Sequence, residues 1–371
     1  MIAADAASEA LSVPMQGLVD RVRAARADKT TLDIRGGNTK AFYGGAQQGQ
    51  PLDVTALSGI CNYEPSELVV TVGGGSLLSE LEAALAAEGQ CLPFEPPRFG
   101  AGGTVGGMVA AGLAGPARAA VGGVRDYVLG VTLLTGRAEI LSFGGTVMKN
   151  VAGYDVSRLV VGALGVLGVI CEVSLKVLPR PPATLTLRFE CDAATAIRRV
   201  NEWGGQPLPI NASAWWDGML VLRLSGAVAA VQAALVKLGG ETVEPALATV
   251  FWTGLRDQRD EFFAAAATAV QSGAGLWRLS VPATTSPLKL PGEQLIEWGG
   301  AQRWLCTGAP GSTLREAAAA AGGHAVLFRS QTKSADAFAA LSAPLERIQR
   351  NLKEAFDPDG VFNRGRLVAA W

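Results

Sequence analysis

The chain has 371 residues, of which 49% are hydrophobic and 18% are charged, and its formal net charge is −1. This composition is typical of globular proteins and excludes an intrinsically disordered chain, and the absence of a basic stripe argues against a nucleic-acid partner. At ~100–200 residues per domain, the length predicts two or three domains.

The N-terminal stretch MIAADAASEALSVP contains acidic residues and no basic one, so it does not predict a secretory signal. Farther along, the longest apolar run covers residues 159–171, which is shorter than the ~20 residues of a membrane span, and Glu172 ends it. The five cysteines are scattered without a C-x-x-C pair, so neither an iron–sulfur nor a zinc site is expected. These features predict a cytoplasmic protein with reduced thiols, no metal site and no membrane span.

The first structured pattern is a strand-like run at residues 32–34 that breaks into the loop RGGNTK, residues 35–40. The loop fits neither the P-loop, which needs a Gly-Lys pair, nor the dinucleotide fingerprint G-x-G-x-x-G. Its adjacent glycines would let the backbone approach an anion, which consecutive N–H groups can bind as a nest. The alternative is a plain glycine turn between two strands, with Lys40 simply solvated.

Short apolar strands and glycine turns fill the rest of the first half. Residues 68–72 are predicted as a strand, followed by a helix with Leu78, Leu81 and Leu85 on one face. A segment rich in Gly and Ala precedes a predicted hairpin at 128–143. A helical or glycine-bent run then leads into a strand at Ile170–Val177.

Prolines at 179, 181 and 182 mark a boundary, after which the pattern changes. Residues 184–240 have a β-α-β-β-α pattern, with a hairpin turn at Asp217-Gly218. From Trp277 a similar succession recurs as strand, hairpin, helix and strand. We therefore predict two ferredoxin-like halves within one antiparallel sheet.

Four segments, in order and at matching spacing, resemble the FAD-binding fold shared by vanillyl-alcohol oxidase and para-cresol methylhydroxylase. They are residues 35–39, 102–107, 153–179 and 357–366. Within that family the chain resembles the FAD-binding E subunits of bacterial glycolate oxidase, through VMKNVAGYDVSRLVVG, LWRLSVP and WGGAQRWL. The resemblance implies an α+β fold: a two-part FAD-binding domain at 1–180, a cap domain at 181–335, and a C-terminal helix and turn at 336–371 that returns to the flavin domain.

The resemblance also implies FAD, held non-covalently because no histidine precedes His324. The first loop would hold the pyrophosphate, the second glycine segment the flavin, and the third the adenine side. The FAD-binding residues would be Arg35, Gly36, Gly37, Asn38, Thr39, Lys40, Pro97, Gly102, Gly103, Thr104, Gly106, Gly107, Gly112, Ala114, Gly115, Gly165, Gly168, Val169 and Asn363. The sequence departs from the family where Ala163-Leu164-Gly165 replaces Ser-Glu-Gly and Arg364 replaces Pro.

Oxidation of a small 2-hydroxy acid needs a cationic group for the carboxylate and a base for the hydroxyl proton. Arg278 and Arg303 are the candidates for the first role, and His324 is the histidine available for the second. Each is alternatively an ordinary sheet or surface residue. Trp215 and Trp216 are expected to line a pocket or to belong to the core or an interface.

The resemblance further implies oxidation of glycolate to glyoxylate in a complex with a larger FAD-binding subunit and an Fe–S subunit that receives the electrons. Association with the inner membrane would then be peripheral, through the complex. A second hypothesis is that the chain binds FAD as an assembly scaffold or electron relay without turnover of its own. The motifs of the subgroup disfavour a UDP-sugar reductase or a sugar oxidase on the same fold.

Overall fold

Two antiparallel sheets organise the chain, whose computed structural model describes residues 11–147, 155–333 and 337–369. The helices of the N-terminal part are α1 (Val13–Ala27), α2 (Leu78–Ala87), α3 (Val105–Ala111), α4 (Arg118–Val121) and α5 (Val124–Tyr127). Its strands are β1 (Leu32–Arg35), β2 (Gln50–Asp53), β3 (Ile60–Glu64), β4 (Val69–Gly73), β5 (Gln90–Cys91), β6 (Val128–Leu134), β7 (Ile140–Gly144), β8 (Val169–Lys176) and β9 (Leu178–Pro179).

The first sheet has the strand order β3-β4-β8-β6-β7, and all its neighbouring strands are antiparallel. Strand β4 is buried along its whole length and shares a core with Leu78, Leu81 and Leu85, the helix face that the sequence predicts. Each such leucine stabilises the fold by ~1.5–3 kcal/mol through burial. Strands β1 and β2 form a separate parallel pair.

The predicted hairpin and the strand after it are confirmed as β6, β7 and β8. The run before β8 takes the glycine-bent alternative, because Gly162 and Gly165 have φ of 79° and 74°, which a right-handed helix excludes. Residues 148–154, which carry part of the motif VMKNVAGYDVS, lie outside the described residues.

Helix α3 was not predicted, because its Gly and Ala residues give no apolar periodicity. It begins at Thr104, whose hydroxyl accepts a hydrogen bond from Gly107 N at 3.2 Å, and it ends at Gly112, whose φ is 62°. A Cβ on Gly106 would lie 2.8 Å from Gly74 O. Glycine at 106 therefore lets the helix approach the turn after β4 closely enough to form the floor of a cleft.

The strands of the cap are β10 (Ala183–Glu190), β11 (Ile210–Trp216), β12 (Met219–Gly226), β13 (Glu241–Thr242), β14 (Gly275–Ser280), β15 (Gln294–Glu297), β16 (Gln302–Thr307) and β17 (His324–Arg329). Its helices are α6 (Ala193–Gly204), α7 (Val228–Leu238), α8 (Pro245–Asp257), α9 (Glu261–Gln271) and α10 (Gly311–Ala320).

These strands form one antiparallel sheet in the order β13-β10-β12-β11-β15-β16-β14-β17. Each half has the ferredoxin-like strand order, and the halves join where β11 pairs with β15, so the predicted cap architecture is confirmed. In the second half a loop at 281–293 replaces the first crossover helix. Helices α8 and α9, which lie between the halves in sequence, were not predicted.

The C-terminal helix α11 (Ala343–Phe356) is followed by a segment that lies along β1. Leu32 N donates to Val361 O at 2.7 Å, and Asn363 N donates to Leu32 O at 2.9 Å. The predicted boundary at residue 180 falls between β9 and β10, which belong to different sheets, and the one at 335 lies outside the described residues. Within the described ranges, no helix combines the length and the apolar character needed to cross a bilayer.

Candidate cofactor and substrate site

An open cleft of about 800 Å³ lies between the loop after β1, helix α3 and the glycine turns before β8. Most of the residues predicted to bind FAD line it: Arg35, Gly36, Gly37, Asn38, Thr39, Lys40, Thr104, Gly106, Gly107, Gly165, Gly168, Val169 and Asn363. They come from distant parts of the chain, so the fold brings together the segments on which the prediction depends.

The loop at 35–40 presents hydrogen-bond donors that the protein does not use. In the described part of the chain, no group accepts a hydrogen bond from the backbone N–H groups of residues 36–40. Asn38 has φ of 52°, the left-handed conformation that Asn tolerates better than most residues. Successive N–H groups around a left-handed residue form a concave anion site. The residues present therefore fit the pyrophosphate of FAD.

Gly36 and Gly37 are also required because the second glycine loop packs directly on the first. A Cβ on Gly37 would lie 1.4 Å from Gly102 O, and a Cβ on Gly36 would lie 2.3 Å from Thr104 Oγ1. Real Cβ atoms do not approach other atoms this closely. The absence of side chains therefore serves loop-on-loop packing as well as access for an anion.

The cations of the loop have different environments. The Arg35 Nε donates to Asp33 Oδ2 at 2.6 Å, and Asp33 is buried, so the charge of Arg35 is already paired. Burial lowers the pKa of Lys40 to about 8, and attraction to Asp257 opposes this only in part. An anion in the cleft would stabilise the charged ammonium, because it supplies the opposite charge that burial removes. Lys40 is thus better placed than Arg35 to bind phosphate.

The segment that follows the loop, residues 41–43, contacts the cap and the C-terminal segment. Arg366, which is buried, donates to Tyr43 O at 2.6 Å and to Ala41 O at 3.2 Å. Phe42 packs against Phe328 of β17, with ring centroids 5.5 Å apart. Residues 41–43, which follow the loop directly, are therefore fixed by both the cap and the C-terminal segment.

Asn363 contacts the walls of the cleft through its whole amide group. Its Oδ1 accepts a hydrogen bond from Ile34 N, and its Nδ2 donates to Leu164 O, both at 2.7 Å. The side chain thus ties β1 to the turn that contains Gly165. Asn363 therefore joins two walls of the cleft that it lines, and its contact with the flavin edge stays a prediction.

The other predicted FAD residues lie outside the main cleft. Pro97, Ala114 and Gly115 line a second, much smaller cavity between the flavin domain and the cap. Gly102 and Gly103 pack behind the first loop, near Gly37 and Thr39 respectively, and Gly112 ends α3. The two cavities adjoin consecutive parts of one segment, because residues 110 and 111 line the cleft and residues 113–116 line the second cavity.

Of the predicted catalytic residues, Arg278 lines the second cavity, where its Nη2 donates to Tyr43 Oη at 3.2 Å. Arg303 lies on the opposite face of the sheet, because its neighbour Trp304 is the residue paired with Arg278. It is 1% exposed and donates to Thr285 O at 2.8 Å. The structure therefore brings Arg278, and not Arg303, to the second cavity.

His324 is an exposed residue at the start of β17, opposite Ser280, and it lines neither cavity. Partial burial and the charge of Arg278 lower its pKa. Trp215 donates to Cys191 O at 2.8 Å within the core of the first cap half, and Trp216 packs on Phe262 at 6.2 Å. Both tryptophans fit the core alternative, and His324 is not positioned by the structure to act as a base.

Comparison with known proteins gives the same assignment for the flavin half. Residues 15–158 match the family described as FAD binding domain. Glycolate oxidase subunit GlcE of Escherichia coli (strain K12) is 49% identical over 354 residues, which cover 95% of this chain and 97% of that protein.

The chain belongs to the GlcE family.

Two relatives with other names match a shorter part of the chain. D-lactate dehydrogenase of Anaerostipes hadrus is 34% identical over 139 residues, 38% of this chain and 29% of that enzyme. Glycolate oxidase subunit GlcD of Bacillus subtilis (strain 168) is 31% identical over 131 residues, 35% of this chain and 28% of that subunit. Among solved structures, alkyldihydroxyacetonephosphate synthase superposes with a TM-score of 0.62 over 94% of this chain and 75% of its own, at 14% identity, which supports the fold alone.

The GlcE-family chain also contains a buried acid that the sequence analysis missed. Glu297 is 4% exposed and lines the second cavity, and its Oε2 accepts hydrogen bonds from Trp304 Nε1 at 2.6 Å and Gln302 Nε2 at 2.9 Å. Burial raises the pKa of Glu297 to about 7, although both hydrogen bonds act in the opposite direction. The sequence feature that could have indicated Glu297 is a single acid at the end of an apolar strand, in LIEWGG.

Replacing Glu297 by Gln should make the protein more stable at alkaline pH. The folded-state pKa is raised above its ordinary value of 4.5, so the native state holds a proton that the unfolded state releases, and stability falls as pH rises from 4.5 to about 7. Removing this penalty should raise the free energy of unfolding by up to about 3 kcal/mol at pH 8, and by little at pH 5. Denaturant unfolding at both pH values measures this. The exposed Glu293→Gln is the control, and an equal change at both pH values would contradict the prediction.

No three His, Cys, Asp or Glu side chains among the described residues are arranged to hold a metal ion.

Proposed function

We propose that this GlcE-family chain is the FAD-binding subunit of a glycolate oxidase complex and that it binds one FAD in the main cleft. The observation that carries the proposal is the loop at 35–40, which lines the cleft and whose N–H groups from 36 to 40 have no acceptor among the described residues. These donors line an open cleft and are not used by the protein, so they are available to a ligand with acceptor oxygens, which a series of successive N–H groups binds as a nest. The match to the FAD binding domain over residues 15–158 supports the same cofactor.

The main cleft would bind the cofactor, and the second cavity would bind the substrate. Lys40 and the 36–40 backbone would bind the pyrophosphate, and Gly165 and Val169 would lie at the adenine side. Arg278 would orient the substrate carboxylate in the second cavity, since a guanidinium matches a carboxylate with two parallel hydrogen bonds. Bound FAD would supply the two-electron oxidant that converts a 2-hydroxy acid to a 2-oxo acid.

The redox role and the scaffold role can be distinguished on the purified chain. Under anaerobic conditions glycolate should bleach the flavin absorption band if this chain binds and oxidises the acid, whereas acetate should not. A flavin band that persists with glycolate, but is lost with dithionite, would favour the scaffold or relay alternative. One observation supports that alternative, namely the position of His324 outside both cavities.

We further propose that the complex contains a larger FAD-binding subunit and an Fe–S subunit that accepts the electrons. Association of this chain with the membrane would then be peripheral, through the other subunits of the complex. The name of the GlcE relative describes a subunit of glycolate oxidase, which supports assembly with other chains. Affinity purification of a tagged chain from its native host should therefore co-purify a larger flavoprotein and a protein with iron and labile sulfide. A chain that purifies alone and oxidises glycolate at the full rate with a quinone acceptor would contradict this composition.

A further inference from the structure

The second cavity has a polar wall formed by one face of the cap sheet. Glu297 on β15 pairs directly with Gln302 on β16, and Arg278 on β14 pairs directly with Trp304. Side chains alternate along a strand, so these four residues share one face, and all four line the cavity. Across that face Arg278 and Glu297 are separated by two strand spacings and by two residues along the strand, or ~12 Å between backbones.

This wall has hydrogen-bonding capacity that the protein does not use. Gln302 is 2% exposed, and its Oε1 is buried without a hydrogen-bond partner among the described residues. Both hydrogen bonds to Glu297 go to its Oε2, so its Oε1 accepts none from the described part of the chain. An unsatisfied acceptor costs ~1–3 kcal/mol when it is sealed from water. A buried acceptor without a partner, beside a carboxylate oxygen that accepts no bond from the described residues, favours a ligand that donates a hydrogen bond, such as a hydroxyl group.

We propose that Glu297 is the catalytic residue that accepts the hydroxyl proton of the 2-hydroxy acid, while Gln302 positions that hydroxyl and Arg278 holds the carboxylate. The inference rests on the proposed function, because bound flavin is its oxidant. The substrate O–H bond breaks and its proton moves to the Glu297 carboxylate. Bound FAD would supply the two-electron oxidant that accepts the hydrogen of the α-carbon with its electron pair, and the C–O bond would then become the carbonyl of the 2-oxo acid.

The charges around Glu297 suit a base that works near neutral pH. After burial, the charges of Asp260 and Glu95 raise its pKa further, and Arg278 and Arg256 line the same cavity. A base with a pKa near the working pH is ionised often enough to accept a proton and basic enough to keep it. The rate of flavin reduction by the substrate should therefore rise with pH from 6 to 8.

The test uses the full chain with FAD bound and two acids that lack an oxidisable hydroxyl carbon. 2-Hydroxyisobutyrate has the carboxylate and hydroxyl but no hydrogen on its α-carbon, and isobutyrate lacks the hydroxyl. Calorimetry on the wild-type chain should show at least roughly tenfold tighter binding of the hydroxy acid, the effect of one hydrogen bond to a charged acceptor. Glu297→Gln should reduce this preference several-fold and flatten the pH dependence of flavin bleaching. Glu293→Gln should change neither.

Equal wild-type affinities for the two acids would overturn the inference, and this comparison needs no variant to fold. A preference or a pH dependence that survives in a folded Glu297→Gln protein would also overturn it. A chain that contains FAD but binds neither acid would overturn the inference and leave FAD binding intact. A chain without FAD would instead refute the proposed function.

Discussion

Gly37→Ala should abolish retention of FAD. The new Cβ would lie 1.4 Å from Gly102 O, so the first loop must move away from the second by more than an ångström. Backbone atoms cannot rotate aside as the end of a side chain can, and overpacking of this kind costs ~1–3 kcal/mol or more. The N–H groups at 36–40 would then lose their common orientation. We expect the flavin content after purification to fall to less than about a tenth, since each 1.4 kcal/mol of binding energy is tenfold in affinity.

Gly102→Ala is the matched control for Gly37→Ala, because it adds the same methyl group to the other side of the same contact. Its Cβ would lie 3.6 Å from the Gly37 Cα and O atoms, which is ordinary van der Waals contact. This variant should keep its flavin, measured as the ratio of absorbance at 450 nm to that at 280 nm. Full flavin content in Gly37→Ala would show that the loop does not need this conformation to bind the cofactor.

Arg278→Met should weaken binding of the substrate by roughly tenfold to more than a hundredfold. Methionine has an unbranched stem of similar length but lacks the guanidinium group, whose carbon lies 5.9 and 5.6 Å from the ring centroids of Tyr43 and Phe328. It removes the charge-assisted hydrogen bonds to the carboxylate, which contribute ~1.5–3 kcal/mol. FAD content should be unchanged, because Arg278 does not line the main cleft. The glycolate concentration that half-bleaches the flavin measures the effect.

Arg303→Met is the control, since it makes the same change one strand away on the opposite face of the sheet. It should leave the half-bleaching concentration of glycolate within about twofold of wild type. Nε and Nη1 of Arg303 are buried without a partner among the described residues, so its replacement removes an incompletely paired charge. If Arg303→Met weakened glycolate binding and Arg278→Met did not, the carboxylate site would lie on the other face.

Much of the fold could be predicted from the sequence because its elements follow simple periodicities. Alternation and turn residues gave the hairpin of β6 and β7, and the repeated pattern of strands and helices gave the two cap halves. Helix α3 could not be predicted in this way, because it is held by Thr104 and by the close approach of Gly106 to Gly74, neither of which appears as an apolar stripe. Helices α8 and α9 have no counterpart in the repeated pattern of the cap.

The residues that line the main cleft could be predicted from the sequence, because each wall of the cleft is formed by consecutive residues. The second cavity was not, since its polar groups come from three neighbouring strands whose pairing fixes which side chains share a face. That pairing places Arg303 and Arg278 on opposite faces and brings Glu297 beside Gln302. It also explains why two arginines that looked equivalent in sequence have different positions relative to the cavity.

The absorption spectrum of the purified chain, before and after acid precipitation, tests the central claim most directly. A non-covalent FAD bound in the main cleft predicts a flavin spectrum with about one FAD per chain and a yellow supernatant after precipitation. The same measurement on Gly37→Ala and Gly102→Ala should give a colourless and a yellow supernatant respectively. A colourless wild-type chain that takes up no added FAD, or flavin that remains in the acid pellet, would contradict the account.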